Sequence, residues 1–163
     1  MKRRIFLGLL SASIAGCTAT GAPSNEDSPN RQIMDTQFTL VDPKERISLD
    51  ESDVDNRFQH AANVQFNAMK NQIIVRGRLK SGSRSCMETV LESASYNEKS
   101  DILTVVVSDK RDESATICTD EISIVAYEST ITFDLSLPGT VVVKHRREDQ
   151  GIVFTNSFTS SPC

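Results

Sequence analysis

From residue 32 onward the chain is organised by a period of two, the spacing that places alternate side chains on opposite faces of a strand. Ala62, Val64, Phe66 and Ala68 alternate with Asn63, Gln65 and Asn67, which predicts a half-buried strand. Lys70-Asn71 then offers a turn into 72–80, where Ile73, Val75, Gly77 and Leu79 face one way and Arg76, Arg78 and Lys80 the other. Ser81-Gly82-Ser83 ends that run. Segments 87–96 and 101–108 follow, and the second is rich in β-branched Ile102, Val105, Val106 and Val107, which resist helix and favour strand. In 122–133 the apolar parity changes between Ile122/Ile124 and Val125/Tyr127, which predicts a bulge there.

Segments 140–147 and 152–158 are separated by Glu148-Asp-Gln-Gly151, and an earlier strand covers 36–41 with Phe38 and Leu40 inward. Two stretches fit the pattern poorly. Residues 87–92 leave one helical turn as an alternative, and in 42–60 Pro43 breaks the chain while Ser48-Leu-Asp-Glu51 matches a helix capping box. About eight closely spaced strands without a long helical pattern predict an all-β fold. The expected form is an antiparallel β-sandwich of immunoglobulin-like architecture, with seven to eight strands over 32–163. The chain has no tryptophan, a departure from antibody-type domains that makes this a statement about architecture rather than ancestry.

The first seventeen residues carry a different signal. Lys2, Arg3 and Arg4 precede an apolar stretch, 5–14, broken only by Gly8, Ser11 and Ser13. Ten helical residues span roughly 15 Å, half of a bilayer core, so this reads as a signal sequence and not as a membrane span. Ile14-Ala15-Gly16-Cys17 resembles a lipobox, and Arg3-Arg4-Ile5-Phe6-Leu7-Gly8 resembles a twin-arginine export signal, with Lys2 where Ser or Thr is common. The reading is a signal peptide over 1–16, a lipidated stalk over 17–31 without large apolar residues, and one domain after it. Cys17 is the expected lipid attachment point, holding the protein to the outer face of the cell membrane. A single acyl chain binds only marginally, so a stable anchor implies two chains or an added surface contact.

Charge sharpens this picture. The chain has 18 Lys+Arg and 22 Asp+Glu, and loss of Lys2, Arg3 and Arg4 leaves 15 against 22, a net of −7. An acidic mature protein argues against nucleic-acid binding. Signal and charge together resemble the small exported lipoproteins of halophilic archaea. The resemblance extends loosely to Gly77, Cys86, Leu91, Tyr96, Cys118, Tyr127, Leu137-Pro138 and Val141 to His145, and it implies location and architecture but no activity.

With Cys17 committed to lipid, Cys86, Cys118 and Cys163 allow three single pairings. Export to an oxidising space favours a disulfide, and Cys86–Cys118 is the expected one because both lie inside the folded region at the starts of candidate strands. Cys163 follows Ser160-Ser161-Pro162 on a terminal tail, as a free thiol or an intermolecular crosslink.

Catalytic chemistry finds no constellation in the sequence. Starting a calcium loop at Asp53 places Arg57 and Phe58 where a ligand and a glycine are required, so the acidic cluster from Asp50 to Asp55 reads as a solvated connection. No metal site is expected, since no Cys-x-x-Cys spacing occurs. His60 and His145 are the only histidines, and His145 shares parity with Val141 and Val143, the mark of a core or edge residue. There is no G-x-S-x-G elbow, phosphate-binding glycine loop or haem motif, so neither an enzyme nor a cofactor is expected.

The feature that suggests a partner is basic. Arg76, Arg78 and Lys80 share one strand face, and Lys144 and Arg146 share another. In an immunoglobulin order the third and seventh strands belong to one sheet, which would gather all five cations on one exposed face. Such a face suits an acidic glycan, a lipid headgroup or an acidic protein. The function expected is a lipid-anchored extracytoplasmic binding or scaffolding module. The alternative is an accessory subunit of an envelope complex, docking through a sheet edge.

Overall fold

A computed structural model describes residues 32–41, 60–83, 85–119 and 122–160. Eight strands make up most of it: β1 (Ile33–Val41), β2 (Ala61–Asn67), β3 (Gln72–Ser81), β4 (Met87–Asn97), β5 (Ile102–Arg111), β6 (Ser123–Phe133), β7 (Thr140–Arg147) and β8 (Gly151–Thr159). A short 3-10 turn, Ala68–Lys70, joins β2 to β3. Its Asn67 cap accepts from the Lys70 N–H, and Asn71 closes it in the left-handed conformation that asparagine tolerates. The strands form two four-stranded sheets, ordered β1-β6-β3-β2 and β4-β5-β7-β8.

Two β layers are present as the alternation predicts, but the immunoglobulin connectivity is not. β5 and β7 lie side by side and parallel, whereas immunoglobulin sheets are antiparallel throughout. The cause is the path between them: after β5 the chain crosses to the other sheet, descends as β6 between β1 and β3, and returns as β7. β3 and β7 consequently belong to different sheets.

The bulge predicted in 122–133 is also elsewhere. β6 pairs with β3 without a register shift from Gln72↔Thr132 to Ser81↔Ser123. The shifts fall in β1 between Ile33 and Asp35, in β4 between Leu91 and Ser93, and in β8 opposite His145/Arg146. The β4 shift explains the poor alternation of 87–92. Thr89 and Leu91 pair with inward Asp109 and Val107, and after the extra residue Ala94 and Tyr96 take over that face. A strand with a bulge stands where one helical turn was the alternative. In β1, Phe38 packs on the core, but Leu40 is 52% exposed at the strand's end.

The core is the interleaved inner faces: Ile73, Val75 and Leu79 of β3, Leu103, Val105 and Val107 of β5, Tyr127, Ile131 and Phe133 of β6, and Val141 and Val143 of β7. Fully burying one such aliphatic side chain contributes about 1.5–3 kcal/mol. The register divides the sandwich into two ends. At the entry end, where β1 starts beside Phe133, the turns 67–71, 97–101 and 133–139 meet. There Asp101 joins them, accepting from Tyr96 Oη at 2.8 Å and the Gly139 N–H at 3.0 Å. At the far end lie the close of β3, the start of β4 and the start of β6.

Candidate functional site

Interior chemistry changes along the strands toward the far end. Continuing inward parity carries β3 from Leu79 to Ser81, β5 from Val107 to Asp109 and β7 from Val143 to His145, and all three polar side chains are buried. Asp109 is fully enclosed and accepts from Ser81 Oγ at 2.8 Å, the Gly82 N–H at 3.2 Å and Thr89 Oγ1 at 3.3 Å. Three donors around one carboxylate compensate its removal from water.

A second polar group sits on the β2/β8 side. Tyr127 Oη lies 2.8 Å from His145 Nε2, and His145 Nδ1 lies 3.3 Å from His60 Nδ1. Phe154 of β8 stacks on His145 with ring centres 4.6 Å apart, and Phe38 of β1 stacks on Tyr127 at 5.6 Å. Gly77 makes room for this group. It pairs with Tyr127 across β3/β6, and a Cβ at 77 would collide with the Tyr127 ring and hydroxyl. Burial holds the Tyr127 phenol above its ordinary range, so it remains a neutral hydroxyl. Burial, with the charge of His60 second, pushes His145 down to about 3. His60, half-buried just before β2, is lowered by burial first and then by Arg147 and Lys80, while Asp109 opposes.

The far end carries three surface features as well. Cys86 and Cys118 form the expected disulfide, Cα atoms 5.4 Å apart, tying the loop after β5 to the start of β4. Beside it Ser83, Ser85 and Thr119 hydroxyls meet at 2.8–3.4 Å. Between the ends of the two sheets an apolar groove of about 360 Å³ is lined by Leu40, Val41, Met87, Ile124, Val125 and Ala126.

No family model matches this chain, and no curated protein or solved structure does either.

The five cations are not on one face. Arg76, Arg78 and Lys80 lie outside the β1-β6-β3-β2 sheet, and Lys144 and Arg146 outside the opposite one, because β3 and β7 are in different sheets. Two of the five are already paired. Arg76 Nε donates to Glu128 Oε2 at 2.6 Å, and Arg146 Nη1 to Glu92 Oε1 at 2.6 Å. Among the described residues, Arg78, Lys80 and Lys144 form no ion pair. The buried Arg78 Nε–H has no acceptor among the described residues. The Arg147 Nε–H also lacks a hydrogen bond, since its 3.4 Å contact with Asp149 is an ion pair without hydrogen-bond geometry.

Arg78 and Lys80, on the last part of β3, and Arg147, at the end of β7, therefore occupy the far end with His60. Sequence reading missed Arg147 because it shares the inward parity of His145. It missed Asp109 although the run Leu103, Val105, Val107 points to it. Cys17, the Asp50 to Asp55 cluster with the Ser48 capping box, and Cys163 lie outside the described residues. Among the described residues no group of three or more metal-ligating side chains occurs, and no helix is long and apolar enough to cross a membrane.

Proposed function

We propose that this chain is a lipid-anchored extracytoplasmic binding or scaffolding module, exported by its N-terminal signal, tethered through Cys17, and working without catalysis. One observation supports this reading beyond the signal itself. The segment that would follow the stalk enters the sandwich at Ile33, and the groove, the disulfide and the basic corner of Arg78, Lys80 and Arg147 lie at the other end of β1. Nine strand residues cover about 26 Å, so a tether at the entry end would carry these features away from the membrane.

The chemistry of the corner favours an anionic partner, an acidic glycan or an acidic protein surface. The carrying cations are Arg78 and Lys80, while Arg76, Arg146 and Arg147 are already paired with Glu128, Glu92 and Asp149. Cys17→Ser should release the protein from the membrane fraction, and retention there would refute the tether. The double variant Arg78→Glu/Lys80→Glu should lose retention on an acidic polysaccharide column at about 0.1 M salt, where the Debye length is about 10 Å. Unchanged retention would exclude the corner.

Docking through a sheet edge as an accessory subunit is favoured by a different observation. β1 is an edge strand of nine residues with Met34 65% and Leu40 52% exposed, and it ends on the apolar groove. Co-purification of a fixed partner after detergent extraction distinguishes that reading from a free module.

A further inference from the structure

His60 just before β2, Tyr127 of β6 and His145 of β7 are far apart in the chain and meet only in the folded sandwich, where β2 and β8 close its edge. Their hydrogens admit one arrangement that leaves nothing buried unpaired. Tyr127 Oη donates to His145 Nε2, His145 Nδ1–H donates to His60 Nδ1, and His60 keeps its remaining hydrogen on Nε2 at the half-buried end. The opposite direction has His60 Nδ1–H donating to His145 and His145 Nε2–H donating to the phenol oxygen. The phenol hydrogen then has no acceptor among the described residues, inside a fully buried side chain.

We propose that Tyr127, His145 and His60 form a directional hydrogen-bond chain that locks the β2/β8 edge closed in neutral solution and releases it in acid. The trigger is one proton taken from solvent at His60 Nδ1. Two N–H groups then face each other across the 3.3 Å gap. Either the His145 proton moves from Nδ1 to Nε2, which strands the Tyr127 hydroxyl, or the His60 ring leaves, which strands the His145 N–H. Both outcomes remove a partner that holds the start of β2 against the interior.

The surroundings set when this happens. Lys80 of β3 and Arg147 of β7 oppose a charge on His60, and Asp109 of β5 favours it. Tyr127 of β6 contributes a neutral hydroxyl, and Phe154 of β8 stacks on both imidazoles, with centres 4.6 and 6.4 Å away. Both histidines are held below their ordinary value of 6.5 in the folded protein, His145 at about 3. The unfolded chain therefore binds protons first on acidification. The closed edge is fully stable above about pH 6.5 and loses stability as pH falls below it.

The chain does not depend on what the basic corner binds, and its test needs no ligand. Imidazole ¹⁵N correlation spectra of the full chain in detergent micelles should show, at neutral pH, His145 protonated on Nδ1 and His60 on Nε2. Amide exchange over β2, corrected for intrinsic rate, should rise by about tenfold or more between pH 7 and 5 while β3 stays protected. Tyr127→Phe removes the group stranded by reversal, so His60 should titrate at a higher pH in that variant. The opposite tautomers in the native protein would overturn the proposal. So would an unchanged exchange rate over β2, or a His60 titration indifferent to Tyr127→Phe.

Discussion

The entry half and the far half of this sandwich are built on the same strands and held together differently. Near the entry, Ile73, Leu103, Ile131, Phe133 and Val141 interdigitate, and stability there is the non-directional effect of removing apolar surface from water. Toward the far end the same strands bury Ser81, Asp109, Tyr127 and His145. These contribute only while their donors and acceptors are matched, so a change of one partner costs more than the bond itself contributes. An apolar core tolerates repacking, while a polar one fixes geometry. That difference makes the far end the half whose side chains are held in the more closely specified geometry.

Three substitutions break or sharpen the contrast. Leu103→Ala, in the fully enclosed apolar half, should lose about 2–5 kcal/mol in urea unfolding, with most of the spread reflecting how far the cavity relaxes. Asp109→Ala should lose about 1–3 kcal/mol, because Ser81, Thr89 and the Gly82 N–H each lose their acceptor. A larger loss at Asp109 than at Leu103 would reverse the proposed division of labour. Arg76→Ala should change stability by less than about 1 kcal/mol, since both members of its ion pair with Glu128 are more than a third exposed. A greater effect would mean that this outer face is more than solvated surface.

Local chemistry was legible in the sequence, and juxtaposition was not. Alternation located all eight strands, since the inward face is written in adjacent residues such as Ile73, Val75 and Leu79. The Cys86–Cys118 bridge followed from counting thiols and placing two of them at the starts of candidate strands. Strand neighbours are a long-range property. No local feature of Thr140–Arg147 states that it pairs with β5 rather than joining β3, and the cation face was misplaced for that reason. The His60–His145 contact spans 85 residues, and Tyr127 reads as an ordinary core aromatic until Gly77 is seen beneath its ring. The parity change near Ile124 predicted a bulge that β6 does not have: Ile122 and Ile124 are exposed apolar residues on the outer parity, and the register with β3 runs unshifted past them.

The parallel pairing of β5 with β7 also bears on folding rate. No hairpin turn joins these two, and the chain between them contributes β6 to the opposite layer. Contacts separated this widely along the chain close slowly, so the β5–β7 seam, which unites the β4–β5 and β7–β8 hairpins, is expected among the slower contacts to form.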